Sequence, residues 1–365
     1  MSELTSAFAL DASALGYLTS SVQFGFIIGT LVFAVLSIAD RYSPSKVFVI
    51  CAVLGGLFNL GVIWDKNSFS SILTFRFFTG FFLAGIYPVG MKIAADYFEK
   101  GLGKSLGFLV GALVVGTALP HLLRDLKGDL PWQYVLIATT SLAAIGGILM
   151  VALVPDGPYR KASQKIRLSA IPDIFQEANF RAAAFGYFGH MWELYAFWAF
   201  IPVILKLYLE SQPNASLNIP LTSFLIIGIG GLACVLGGYL AQRFTVKRIA
   251  FLALLSSCIC CLLSPFAFTL DSEWLFIVFL LFWGMVVIAD SPLFSTMVAN
   301  NCPIQLKGTA LTIVNSLGFF ITIFSIQLIS EVRLLTSSHY VFAILGLGPI
   351  LGLLALVKRR DKLEQ

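Results

Sequence analysis

His190 and Glu193 stand three residues apart inside one apolar stretch, and Arg76 and Asp290 lie inside two others. An ionised side chain near the middle of a lipid bilayer costs at least about 2.5–3.5 kcal/mol on insertion scales, so each such group needs a partner, a water-filled cavity or a task. Residues three apart share a helix face, so His190 and Glu193 are expected to interact and to alter each other's proton affinity. Desolvation drives a carboxylate towards its neutral form, and a cation such as Arg76 drives it towards its charged form. Alternation between two such environments would couple proton movement to a conformational change. A fixed ion pair is the competing reading of the same side chains. Arg76 also offers a planar fork suited to a carboxylate or another planar anion. Lys92, further along the same stretch, reads as a side chain snorkelling to the interface. Asp290 precedes Ser291-Pro292, where the proline removes a helix hydrogen bond and sets a polar kink.

These residues need helices to hold them in lipid. The chain is 58% hydrophobic and 12% charged with a mean hydropathy of +0.89, far from the averages of soluble domains. About 20 apolar residues cross the hydrocarbon layer as a helix. Eleven such segments are expected near 14–38, 46–64, 70–97, 103–123, 133–154, 181–205, 220–242, 247–268, 273–298, 308–330 and 339–357. The fold class is therefore all-α and integral to the membrane. The six cysteines read as packed free thiols, and no His, Cys and acidic residues gather at ligand spacing, so neither metal nor cofactor is expected. No phosphate-cradling glycine loop occurs, which removes an ATP-driven pump, and no nucleophile–base set points to an enzyme. The net charge of +5 resides in short loops, a topological signal rather than a nucleic-acid one.

Seventeen Lys and Arg fall in alternate loops and five in the others, which places the C terminus in the cytoplasm and Met1 outside. Residues 156–180 form the longest polar interval and divide five spans from six. The expected organisation is a helical bundle over 1–155, a cytoplasmic linker over 156–180 and a second bundle over 181–365. The two parts echo each other, since Arg76-Phe-Phe-Thr-Gly80 through Pro88 repeats in spacing as Leu280-Leu-Phe-Trp-Gly284 through Pro292, an offset of 204 residues. Paired halves of this kind are typical of secondary transporters.

Ala39-Asp40-Arg41-Tyr42-Ser43-Pro44-Ser45-Lys46 resembles the loop motif joining the second and third helices of the major facilitator superfamily, with Leu36 and Ser43 in place of its usual glycines. Gly238-Tyr-Leu-Ala-Gln242-Arg243-Phe-Thr-Val-Lys247-Arg248 resembles it again in the second half, with Gln242 in place of the acid. Arg76-Phe-Phe-Thr-Gly80 and Asp96-Tyr-Phe are similar to the family's fourth-helix features. The resemblance covers nearly the whole chain and implies two helical bundles that rock about a central site. By the same resemblance the first span matches the family's second helix, so the visible spans are its helices 2–6 and 7–12. The family's first helix has no counterpart here, through either a late start or a real truncation.

The resemblance also sets Arg76, His190, Glu193 and Asp290 on cavity-lining helices, as substrate or proton-coupling residues. Tyr87, Trp192 and Tyr195 are candidates for the cavity wall, with aromatic packing as their competing reading. Asp40, Arg41, Lys46 and Arg243 are expected to gate the inner face. The function expected is proton-coupled secondary transport of a small polar or organic anion across a bacterial-type inner membrane. The partners are then a small-molecule substrate, protons and the lipid bilayer, with no nucleic acid and no stated oligomeric state. A truncated, non-transporting membrane protein or partner-binding subunit is the alternative.

Overall fold

The computed structural model describes residues 2–11, 13–97, 102–128, 130–159, 171–303, 306–336 and 338–357. The linker charges Arg160, Lys161, Lys165 and Arg167, and the C-terminal Lys358, Arg359, Arg360 and Lys362, lie outside them, as does the side chain of Asp40. The described residues hold 11 helices long and apolar enough to cross a membrane: Ala14–Val35, Pro44–Gly61, Phe69–Ala94, Ser105–Leu126, Gln133–Leu153, Ala178–Ser211, Ile219–Arg243, Val246–Ala267, Glu273–Asn300, Lys307–Leu335 and His339–Val357. They match the eleven expected segments in order and are numbered here as the first to eleventh spans.

Apolar composition lets these segments enter lipid, and local chemistry sets where each helix starts. Ser68, Asn218, Thr245 and Ser272 accept a hydrogen bond from a first-turn amide of the third, seventh, eighth and ninth spans. The third and ninth spans are each two helices in series, Phe69–Leu83 then Tyr87–Tyr97, and Glu273–Ala289 then Ser291–Asn300. Both second helices carry proline in their second position, where its fixed φ suits a helix start and its missing N–H costs nothing. The sequence predicts the kink at Pro292; the third span, read as continuous over 70–97, is broken as well. In both, the residue two before the proline supplies the first carbonyl, from Ile86 to Gly90 N at 2.7 Å and from Asp290 to Phe294 N at 2.9 Å.

Close helix contact depends on glycine at two kinds of place. A Cβ on Gly80 would overlap the carbonyl of Val22 in the first span, and one on Gly284 would overlap that of Ile226 in the seventh. Where the two sequence halves meet, Gly111 of the fourth span and Gly231 of the seventh face each other's carbonyls, 2.8 Å from where a Cβ would sit in each direction. The first and tenth spans form the other seam, with Gln327 Nε2 donating to Ser20 Oγ at 2.9 Å and the Phe26 and Phe319 rings 4.3 Å apart. The fifth span turns Leu142, Ile145 and Leu149 outward, as a lipid-facing helix does.

Candidate functional site

The sixth span is a single helix of 34 residues, and His190 and Glu193 lie near its middle with 1% exposure each. Glu193 reaches two other spans. Its Oε2 accepts from Ser257 Oγ of the eighth span at 2.6 Å, and its Oε1 accepts from Trp283 Nε1 of the ninth at 2.6 Å. Hydrogen bonds to an ionised group contribute about 1.5–3 kcal/mol each, enough to offset much of the cost of burying the carboxyl. Trp283 is itself fully buried and packs against Phe197 at 4.5 Å, so its N–H is held in place by its ring.

His190 turns the other way. Its Nδ1 lies 2.8 Å from Oδ1 of Asp290, the residue between the two helices of the ninth span. Both side chains are 1% exposed, and the imidazole lies between the rings of Tyr187 at 5.9 Å and Phe294 at 6.3 Å. The 2.8 Å approach is an ion-pair distance outside hydrogen-bond alignment, and none of the four polar atoms of the two side chains has a hydrogen-bond partner among the described residues, so the pair keeps capacity for another polar group or proton. This arrangement corrects the expected His190–Glu193 interaction. Three residues along a helix still diverge by about 60° in direction and about 4.5 Å in height, which is sufficient for one side chain to meet the ninth-span break and the other the eighth span. Asp290 and Glu193 nonetheless lie within electrostatic reach of each other.

Arg76 does not join this cluster. Its Nη1 donates to Asn59 Oδ1 at 3.4 Å, and Asn59 Nδ2 in turn reaches Thr140 Oγ1 of the fifth span at 3.2 Å. Arg76 Nε is shielded from solvent without a partner among the described residues, so this guanidinium retains a donor for an anion. Lys92 makes an ion pair with Asp96 one turn on, at 3.6 Å.

Tyr87, at the head of the third span's second helix, and Tyr187 and Tyr195 of the sixth span lie within electrostatic reach of one another. Tyr195 also packs on Phe319 at 5.1 Å, which places these rings at the first–tenth seam beside Phe26. Trp192 faces away, its Nε1 donating to the Ile344 carbonyl of the eleventh span at 3.2 Å. Of the loop residues, Arg41, Lys46 and Arg243 are exposed, with the Arg243 guanidinium 5.9 Å from the Phe244 ring centre. Serines beside the first loop bind where the fifth span passes into the linker, Ser43 Oγ donating to Asp156 Oδ1 and Ser45 Oγ to the Val154 carbonyl at the helix end, each at 2.7 Å.

Ser257, Trp283 and Asn59 are the site residues that sequence reasoning missed. A hydroxyl, an indole or an amide in an apolar run is unremarkable until the register between spans is known. The one signal in the sequence was Trp283 beside the repeated Gly284.

A family model described as Major Facilitator Superfamily matches residues 1–326. The 3-(3-hydroxy-phenyl)propionate transporter of Escherichia coli (strain K12) is 28% identical over 155 residues, covering 42% of this chain and 36% of that protein. The benzoate transport protein of Acinetobacter baylyi (strain ATCC 33305 / BD413 / ADP1) is 24% identical over 307 residues, covering 73% of this chain and 64% of that protein. The chain thus spans less than two thirds of either relative. Among solved structures, the crystal structure of a D-xylose-proton symporter superposes with a TM-score of 0.76 at 16% identity, over 97% of this chain and 91% of that one. At that identity the likeness is one of fold.

Proposed function

Since this chain belongs to the Major Facilitator Superfamily, we propose that it moves a small organic anion across a membrane by alternating access, with proton movement coupled at Glu193. Family membership sets it among integral membrane carriers rather than enzymes. The observation that carries the coupling is Glu193 itself, buried in the middle of the sixth span with both oxygens hydrogen-bonded and a second acid, Asp290, close by. Buried acids in membrane helices are costly and are retained where ions or protons pass.

The anion is an aromatic carboxylate on this reading. Two relatives are named for hydroxyphenylpropionate and benzoate transport. Tyr87, Tyr195 and Phe319 offer ring faces, and the two tyrosines hydroxyls, where the halves meet; Arg76, which bonds towards the second and fifth spans instead, keeps an unpaired guanidinium N–H apart from them. Residues 1–155 and 181–365 act as the two rocking bundles, joined by 156–180. The basic loops and the C terminus face the cytoplasm of a bacterial cell, and Met1 faces outward.

Purified protein in liposomes under an inward proton gradient should accumulate radiolabelled benzoate. Glu193→Gln should abolish that accumulation while benzoate–benzoate exchange persists. Gradient-driven accumulation unchanged in the variant would remove Glu193 from the mechanism.

A further inference from the structure

A carboxyl group that carries protons needs hydrogen-bond partners in both of its protonation states, or the loaded state would bury an unsatisfied donor. The two strong hydrogen-bond donors to Glu193, Trp283 and Ser257, differ in what they can do. Trp283 Nε1–H can only donate, so Oε1 remains an acceptor whether Glu193 is charged or neutral. Ser257 can donate and accept. Its Oγ lies 2.6 Å from Glu193 Oε2 and 3.5 Å from the carbonyl of Leu254, one turn back in the same helix. A serine hydroxyl that back-bonds to its own helix turns about χ1 and the C–O bond without moving the backbone.

We propose that Ser257 is a hydroxyl rotor for proton uptake at Glu193, and that Trp283 confines the transferred proton to Oε2. In the ionised state Ser257 O–H donates to Oε2. When a proton arrives at Oε2, the serine hydrogen swings to the Leu254 carbonyl and Oγ accepts the new carboxyl O–H. On release the two hydrogens reverse these moves, so one proton enters, one leaves and no other covalent bond changes. The other titratable groups around Glu193 are His190 on its own helix, Asp290 of the ninth span and the thiols of Cys258, Cys260 and Cys261 on the eighth. Of the thiols, that of Cys261 also hydrogen-bonds the Glu193 carboxyl, but a thiol is a weak donor and a weak acceptor, and His190 is paired with Asp290, so Ser257 is the group best placed to take the carboxyl proton's hydrogen bond.

This assignment rests on Glu193 as the coupling acid, and the test separates the two. Benzoate is the probe, in liposomes, with gradient-driven accumulation and benzoate–benzoate exchange measured side by side. Ser257→Ala should lower accumulation at least about tenfold, the ratio that loss of one buried hydrogen bond produces, with exchange retained. Ser257→Thr, which keeps the hydroxyl, should restore it. Full accumulation in Ser257→Ala with none in Glu193→Gln would overturn the rotor and leave the coupling acid in place; full accumulation in both would overturn both.

An infrared difference spectrum across a pH step gives a reading that needs no substrate. The protonated carboxyl band, assigned by its loss in Glu193→Gln, should rise in frequency in Trp283→Phe as the C=O loses its donor. It should also move in Ser257→Ala as the O–H loses its acceptor. A band unmoved by either substitution would overturn the assignment of these partners.

Discussion

The third span starts on the Ser68 cap, meets the first span at Gly80 and breaks before Tyr87-Pro88; the ninth, 204 residues later, starts on Ser272, meets the seventh at Gly284 and breaks at Asp290 before Ser291-Pro292. Positions that set the backbone and its closest helix approach are alike in the two, and positions whose side chains reach a neighbour are not. Where the ninth span has Trp283, fixed on Glu193, the third has Thr79, whose hydroxyl bonds to the Phe75 carbonyl in its own helix at 2.8 Å. Where the ninth has Asp290 in its break, the third has Ile86. Arg76 is matched by Leu280. Caps, glycine and proline thus reproduce one broken helix twice, while single side chains assign protonatable chemistry to one copy and a guanidinium to the other.

The sharpest way to break this comparison is to empty the Trp283 position. Trp283→Ala removes a fully buried ring and one of the two donors to Glu193. A loss of about 3 kcal/mol is expected, near the lower end of the range for soluble cores because lipid is itself as apolar as the packed interior. Thr79→Ala, at the equivalent place, loses only a bond to its own helix and should cost less than about 1 kcal/mol. Equilibrium unfolding in mixed detergent measures both, and equal losses would mean that the two spans are alike in side-chain function after all.

A second cut goes through the break. His190→Leu or Asp290→Leu alone leaves a buried polar partner behind, at an expected cost of about 1–3 kcal/mol. The double variant removes both groups and should recover most of that loss, because a buried pair replaced by apolar side chains is often neutral. Additive losses in the same unfolding measurement would show that His190 and Asp290 do not act as a pair.

Much of the architecture was legible from hydropathy, because lipid demands a run of apolar residues and eleven such runs are plain in the sequence. The sixth and tenth helices extend beyond the expected 181–205 and 308–330, to Ser211 and Leu335. Hydropathy reads the hydrocarbon thickness, whereas a helix continues wherever its backbone bonds are supported, as by the Lys206–Glu210 ion pair at 3.7 Å. The buried acids and His190 were also visible, since an ionisable residue in an apolar run stands out by type. Their partners were not. Pairing His190 with Asp290 and Glu193 with Ser257 and Trp283 depends on the rotation and height of the sixth, eighth and ninth spans relative to one another, to within a fraction of a turn. One sequence carries no such register. The break before Tyr87 was hidden for a related reason, because an apolar run through Ala84, Gly85 and Ile86 reads as uninterrupted helix.

The smallest effect bears on what holds each break open. Proline near a helix start loses no hydrogen bond, so Pro88→Ala and Pro292→Ala should each change stability by less than about 1 kcal/mol. Their local consequences should differ. In the third span the residue at the break, Ile86, has no ionisable side chain held by a partner, and the ring of Pro88 stands where a continuing helix would place the amide bonded to the Ala84 carbonyl. Alanine there should allow residue 88 to donate to the carbonyl of Ala84, four residues back, and hydrogen exchange at that new amide should be slow. In the ninth span Asp290 is held by His190 at 2.8 Å, and closing the helix would move its carboxyl from that partner. The amide at residue 292 should therefore exchange faster than the one at 88. Equal protection at the two amides would mean that the prolines alone set both breaks, and that the His190–Asp290 pair follows the backbone rather than shaping it.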